Sequence, residues 1–196
     1  LQVNPVVGVL ALQGAFAAHI DSLTRVGARA EEVRTPEHLA GVDALVMPGG
    51  ESSTMSNLLV SSGLFDAVAE RIRQGMAVFG TCAGMILLAS EVLDGRDDQL
   101  NFSAIDISVR RNAFGRQVDS FETDIPTRVG DFHGVFIRAP RIERVGATVE
   151  VLGSLQGEPV LVRNNHVMAA SFHPELAGDD RLHDYFVSTV LHGKEA

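Results

Sequence analysis

The stretch Ala77-Val78-Phe79-Gly80-Thr81-Cys82-Ala83-Gly84, running into the helix-like residues 83–89, decides how this chain is read. Its first three residues are an unbroken apolar run, the pattern of a strand buried on both faces. The next five fit G-x-nucleophile-x-G, directly after that strand and directly before a helix, which is the context a nucleophile elbow requires. The glycines permit a sharp, strained turn, so Cys82 projects from the carboxyl end of a sheet. The following helix presents free N–H groups and a partial positive charge, which lowers a thiol pKa and can hold an oxyanion. The N–H of Ala83, the residue after the nucleophile, is the natural first oxyanion donor. The bland reading of a free cysteine is a small buried hydrophobe. The glycine flanks and the strand–helix junction weigh against it here.

Outward from the elbow the alternation continues. Residues 6–12 are a continuous apolar run, and Phe16, Ile20, Leu23 and Val26 recur at helical spacing up to Gly27. A short strand lies around residues 30–33. Ala44-Leu45-Val46-Met47 then enters Pro48-Gly49-Gly50, ahead of helical pieces at 52–63 and 64–73. This β-α-β-α order calls for a parallel sheet flanked by helices. Beyond Gly95 the texture changes to short strands at 105–109, 118–123, 135–137, 149–155, 160–162 and 167–172. Asn164-Asn165 suits a tight hairpin turn between the last two. Leu182, Phe186, Val187 and Val190 mark a final amphipathic helix. The expectation is one α/β domain over residues 1–196, with a mainly parallel central sheet flanked by helices and a strand-rich second half.

Composition narrows the chemistry. The chain has 196 residues, 45% of them hydrophobic and 21% charged, and a domain of that size buries roughly 70% of its unfolded surface without disulfide or metal. A net charge of −9 repels phosphate backbones and argues against a nucleic-acid partner. No apolar run is long enough to span a membrane, and no positive charge precedes the first one, so neither a span nor a signal peptide is expected and the expected location is the cytoplasm. Of 16 basic residues only Lys194 is a lysine, so chemistry that needs a buried lysine amine has no candidate within the fold. Cys82 as the one cysteine excludes an internal disulfide and a thiolate-cluster metal site; no metal and no cofactor are expected.

A thiol nucleophile needs a base, and the base an orienting acceptor. His173-Pro174-Glu175 follows the apolar residues 167–172. In extended chain, residues i and i+2 point to the same side, about 6–7 Å apart at Cα. His173 would then take the thiol proton while Glu175 holds the imidazole tautomer. Six further histidines compete. His19 in the first helix, His38 in a loop, and His183 and His192 on the final helix read as surface or helix-face residues. His133 and His166 border strands, and neither is followed by a carboxylate in so constrained a context.

Elbow and H-P-E together resemble the triad (class I) glutamine amidotransferases, whose glutaminase domain has a flavodoxin-like α/β fold. Several motifs are similar to those of the glutaminase subunits of pyridoxal 5′-phosphate synthases. They are Ala11-Leu12-Gln13-Gly14, Pro48-Gly49-Gly50-Glu51-Ser52, the elbow itself, Arg111-Asn112-Ala113-Phe114-Gly115-Arg116-Gln117, Phe136-Ile137-Arg138-Ala139-Pro140 and Ser171-Phe172-His173-Pro174-Glu175. The resemblance implies a triad of Cys82, His173 and Glu175. It implies an oxyanion hole from the Gly50 and Ala83 N–H groups, and glutamine contacts from Gly50, Glu51, Ser52, Arg111, Ile137 and Arg138. An arginine and a glutamate suit the carboxylate and ammonium at the far end of glutamine. On residues alone, 48–52 would be a plain βα turn with a Ser/Thr helix cap, and Arg111 and Arg138 ordinary surface charges.

The implied reaction hydrolyses L-glutamine to L-glutamate and ammonia through a thioester. The ammonia passes to a pyridoxal 5′-phosphate synthase (lyase) subunit in a hetero-oligomeric complex for vitamin B6 biosynthesis. Imine chemistry of that kind needs lysines, so it falls to another polypeptide. Gln13 and Gly14, on the same sheet edge as the elbow, are the candidate partner interface, where docking could adjust the Gly49-Gly50 turn. Three alternatives compete. Another glutaminase subunit, such as that of imidazole glycerol phosphate synthase, is disfavoured by the motif from Arg111 to Gln117. A cysteine peptidase needs an open cleft rather than a small pocket. A non-catalytic regulatory module has no use for an intact Cys-His-Glu set.

Overall fold

Apolar runs near the N-terminus become strands with both faces covered. The computed structural model describes residues 4–111 and 120–192. Residues 112–117 of the arginine motif, the start of the strand expected at 118, and Lys194 lie outside them. The first part alternates β1 (Val6–Leu10), α1 (Phe16–Arg25), β2 (Arg29–Val33), α2 (Pro36–Ala40), β3 (Ala44–Met47), α3 (Ser52–Ser61), α4 (Leu64–Arg73), β4 (Ala77–Thr81) and α5 (Ala83–Leu88). Strands then dominate: β5 (Ala89–Val92), β6 (Ile105–Arg110), β7 (Ser120–Thr127), β8 (Gly130–Ile137), β9 (Arg141–Val145), β10 (Glu150–Leu155), β11 (Glu158–Asn164) and β12 (Val167–Ala170). A 3₁₀ turn at Pro174–Leu176, α6 (Arg181–Tyr185) and a π-helical segment at Phe186–Leu191 close the described chain.

One sheet runs in the order β2-β1-β3-β4-β12-β11-β10-β7-β8, and a smaller one in the order β5-β6-β9. The first five strands of the large sheet pair in parallel. Counting β12 as the fifth parallel strand, their order is the doubly wound 2-1-3-4-5 arrangement of flavodoxin-like folds. From β12 to β8 every pairing is antiparallel. Parallel pairing needs a crossover of a dozen or more residues, and most links in the second half are short turns. The strand-rich half therefore continues the same sheet in the antiparallel sense.

Side-chain alternation explains why the parallel strands read as unbroken apolar runs. Leu45, Met47 and Val78 point into the core under α3, α4 and α5. Ala44, Val46 and Phe79 point into the opposite core, with Leu23 of α1 and Leu182 and Phe186 near the C-terminus. Both faces of β3 and β4 are thus removed from water, each large side chain contributing about 1.5–3 kcal/mol.

Three details differ from the sequence reading. His38 lies in a helix rather than a loop, because the Thr35 hydroxyl accepts from the His38 N–H and Pro36 occupies the first helical position. Strands β5 and β9 are additional; β5 follows α5 without a break. Asn164 pairs with Val167, so the hairpin turn is Asn165-His166, with Asn165 at φ +50°. Among the described residues, no helix is long and apolar enough to cross a membrane.

Candidate active site

The carboxyl ends of β1, β3, β4 and β12 converge on one edge of the sheet, where doubly wound folds bind ligands. Strands β4 and β12 are neighbours, with Thr81 opposite Ala170. Cys82 and the H-P-E triplet follow these two residues, so strand pairing brings them together. The Cys82 N–H donates to the Ala170 carbonyl (2.8 Å), and the His173 N–H to the Val135 carbonyl (2.8 Å). Both catalytic candidates are therefore pinned through their own backbones.

Cys82 has φ +53° and ψ −108°, a strained conformation for a side-chain-bearing residue. The elbow glycines are obligatory on contact grounds. A methyl group at Gly80 would stand 2.7 Å from the Gly84 carbonyl carbon. One at Gly84 would overlap the Met47 carbonyl oxygen, the two atoms only 2.1 Å apart. This close approach seats α5 directly on β3 and β4. The helical ladder starts with the Ile86 N–H donating to the Cys82 carbonyl (3.2 Å), so the Ala83 N–H is not spent within the helix.

The His173 Nδ1 lies 2.7 Å from Glu175 Oε1, and the Glu175 side chain is fully removed from solvent. The two do not meet through extended chain. Pro174 opens the 3₁₀ turn and curls Glu175 back beneath the ring. Burial opposes charging of the imidazole, but hydrogen bonds to Cys82 and Glu175 outweigh it and raise His173 from 6.5 to about 10. The ring is then an imidazolium at neutral pH, the partner a thiolate requires. Gly49 packs flat on this pair: a methyl group there would sit 2.6 Å from His173 Cε1 and 3.3 Å from Cys82 Cβ.

A cavity of about 410 Å³ opens above Cys82 and His173, a size typical of small-molecule sites. Gly14, Gly50, Glu51, Ser52, Ala15, Arg111, Ile137 and Arg138 contribute to its wall. Gln13 does not line it. Its Oε1 accepts from the Glu51 N–H (3.0 Å), tying the loop after β1 to the Gly49-Gly50 turn. The Glu51 carboxylate caps α3, accepting from the N–H groups of Ser53 (3.1 Å) and Thr54 (2.7 Å). Burial would raise it, but the Thr54 hydroxyl, which also donates to it (2.7 Å), and these N–H groups hold it at about 2. The helix cap is thus a glutamate, not the serine or threonine of the plain-turn reading. Arg111 donates to Ser53 Oγ (2.8 Å) and Gln99 Oε1 (2.7 Å), neutral acceptors that leave its charge uncompensated by these contacts.

Sequence reading missed the wall behind Glu175. His19 and His183 are fully buried, not surface residues. The signal was present: His19 stands four residues before Leu23 and seven before Val26, and His183 seven before Val190, each on its helix's apolar face. Gln99, which also accepts from Ser53 (3.1 Å), lies in an irregular segment with no pattern to reveal it. His133 is exposed between Glu122 and Asp124, and His166 ties β12 to the Ile72 carbonyl.

Comparison with known proteins agrees with this geometry. The pyridoxal 5′-phosphate synthase subunit PdxT of Mycobacteroides abscessus is 58% identical over 192 residues, 97% of this chain and 100% of that protein. The subunit of the same name from Corynebacterium jeikeium is 53% identical, covering 94% of this chain and 96% of its own. A crystal structure described as a glutamine amidotransferase superposes with a TM-score of 0.89 at 52% identity, over 96% of this chain and 99% of that one. Residues 9–192 match the family described as SNO glutamine amidotransferase, and the chain belongs to that family.

Proposed function

We propose that Cys82, His173 and Glu175 hydrolyse the side-chain amide of L-glutamine, within one glutaminase domain, and that the ammonia is consumed by the synthase partner of a pyridoxal 5′-phosphate synthase. The observation that carries the reading is the alignment of a buried carboxylate, an imidazole 2.7 Å from it, and a strained thiol under one cavity. The Cys82 thiolate attacks the amide carbon, and the developing oxyanion is held by the Ala83 and Gly50 N–H groups. His173 protonates the departing nitrogen as ammonia. It then takes a proton from the water that cleaves the thioester and releases glutamate. Arg111 takes the substrate carboxylate, with Arg138, Ser52 and Ile137 completing the pocket. Glu51, committed as a helix cap, retains outward lone pairs for the ammonium. A lone thiol nucleophile works only when reduced, a condition the cytoplasm maintains, which supports a cytoplasmic location.

Gly14 and the Gln13-tied turn form the rim that the synthase touches. Gly14 has φ +87°, and a methyl group on it would overlap the Gly49 carbonyl, so movement of this loop is transmitted directly to Gly49-Gly50. No lysine lines this cavity among the described residues, so the synthase supplies the imine chemistry. The test is glutamate release by the chain with and without a synthase, together with pyridoxal phosphate formation by each alone. Stimulated glutamate release and no pyridoxal phosphate from this chain alone are expected. Synthesis of pyridoxal phosphate by this chain alone would sink the reading.

Two further outcomes follow from the geometry. Gly49→Ala pushes on His173 and is expected to lower kcat about 100-fold, the cost of roughly 1 Å of misplacement, with an unchanged melting transition checked alongside. Because His173 is held near 10, its imidazolium persists through neutral pH and is lost only as pH rises through that value. The alkaline limb of kcat/KM, where the acid for ammonia departure disappears, is expected there. An NMR titration of the His173 ring should show the same midpoint.

A further inference from the structure

A second imidazole pair is sealed behind the triad. His19 of α1 and His183 of α6 are both fully buried, with His19 Nδ1 2.9 Å from His183 Nε2. The other ring nitrogen of His19, Nε2, lies 3.4 Å from Glu175 Oε2 and 3.2 Å from Thr81 Oγ1. Glu175 Oε1 is held by His173, while Oε2 is buried without a hydrogen-bond partner, 3.4 Å from His19 Nε2. His19 is thus the only ring N–H candidate among the described residues facing that oxygen.

The proton positions follow from counting donors. Burial first, then the neighbouring His183 and His173, push His19 well below its usual range. Burial also lowers His183 to about 4, against Asp180, which raises it, and with Arg25, which lowers it. Those two charged groups pair with each other on the outer side, Arg25 donating to Asp180 at 2.6 and 2.9 Å, while the Phe79 ring packs edge-on to His183. Each imidazole is therefore neutral with one ring proton, and two assignments exist. In one, His19 Nε2–H points at Glu175 and Thr81, and His19 Nδ1 accepts from His183 Nε2–H. His183 Nδ1, which has no partner, is then only an unpaired acceptor. In the other, a buried His183 Nδ1–H is orphaned and a His19 lone pair faces a carboxylate. Orphaned donors cost more than orphaned lone pairs, so the first assignment holds.

We infer that His19 is a positioning residue: its Nε2–H, anchored on Thr81, faces the otherwise unpartnered Glu175 Oε2 at 3.4 Å and so favours the carboxylate plane in which Oε1 receives His173 Nδ1–H, while His183 sets the His19 tautomer. This rests on the triad proposed above. Glutamine at position 19 can place its amide nitrogen where Nε2 stands, whereas asparagine reaches only the Nδ1 position. In the complex with a synthase, His19→Asn is expected to lose about 100-fold in kcat with KM within about twofold. His19→Gln is expected to recover to within about tenfold of wild type. Equal losses for both, tracking their melting temperatures, would overturn the inference in favour of packing alone. A measurement on the unaltered protein covers the case in which the variants do not fold. Imidazole ¹⁵N shifts should report His19 protonated at Nε2, and protonation at Nδ1 contradicts the inference. Full activity in Glu175→Gln instead points to failure of the triad reading itself.

Discussion

Cys82→Ala is expected to remove glutamate release, lowering kcat by about 10⁴-fold or more while leaving the fold intact. The size of the effect comes from the covalent route. Without the thiolate, the cavity can still bind glutamine and the Ala83 and Gly50 N–H groups can still polarise its amide. His173 would have to activate water for a reaction whose geometry is set for sulfur. The strain at Cys82, φ +53° in a residue with a side chain, is held by packing of Gly80 against Gly84, not by the thiol. The substitution should therefore neither unfold the protein nor weaken glutamine binding. A Cys82→Ala protein that binds glutamine and the synthase but releases no glutamate is the expected result, measured by coupled glutamate assay and calorimetry.

Glu175→Gln is the second large effect. The carboxylate holds the His173 ring by a 2.7 Å bond with its side chain wholly shielded from water. An amide of the same shape accepts only through one atom and carries no charge. It can present its oxygen to His173 or to His19, not to both. Loss of orientation and of imidazolium stabilisation together is expected to lower kcat about 10³–10⁴-fold. Loss of the carboxylate charge that helps raise His173 to about 10 shifts its titration toward 6.5. The alkaline limb of kcat/KM therefore moves to lower pH in this variant. Steady-state kinetics between neutral pH and about pH 10 separates the two contributions.

Much of the site was legible because its parts lie in short, patterned segments. Glycines around Cys82 and the apolar strand before it specify the elbow without reference to anything distant, and His173-Pro174-Glu175 is contiguous. The means by which His173 and Glu175 meet was less legible: alternation along extended chain suggests it, but Pro174 starts a 3₁₀ turn instead. Contacts made across the fold left weaker traces. His19 and His183 sit on apolar helix faces, where a polar residue signals a buried partner, yet nothing in the sequence says that the partner is Glu175, 156 positions beyond His19. Glu51 was legible as part of a motif, but its capping of α3 depends on where that helix begins. Gln99 reaches Arg111 from an irregular segment, and irregular backbone has no period to read. The doubly wound half of the sheet follows from β-α alternation, whereas the order β12-β11-β10-β7-β8 is fixed by hairpins and sheet registers that apolar patterning does not encode.

In the proposed mechanism Cys82 forms a thioester with the glutamyl group while His173 and Glu175 drive it. The most direct test is to mix the chain and a synthase with glutamine, quench in acid within the first turnovers, and weigh the peptide containing Cys82. A glutamyl mass increase on that peptide is expected, enriched in Glu175→Gln if thioester cleavage becomes the slow step, and absent in Cys82→Ala. Glutamate release at the wild-type rate from Cys82→Ala, with no adduct on any residue, would contradict it.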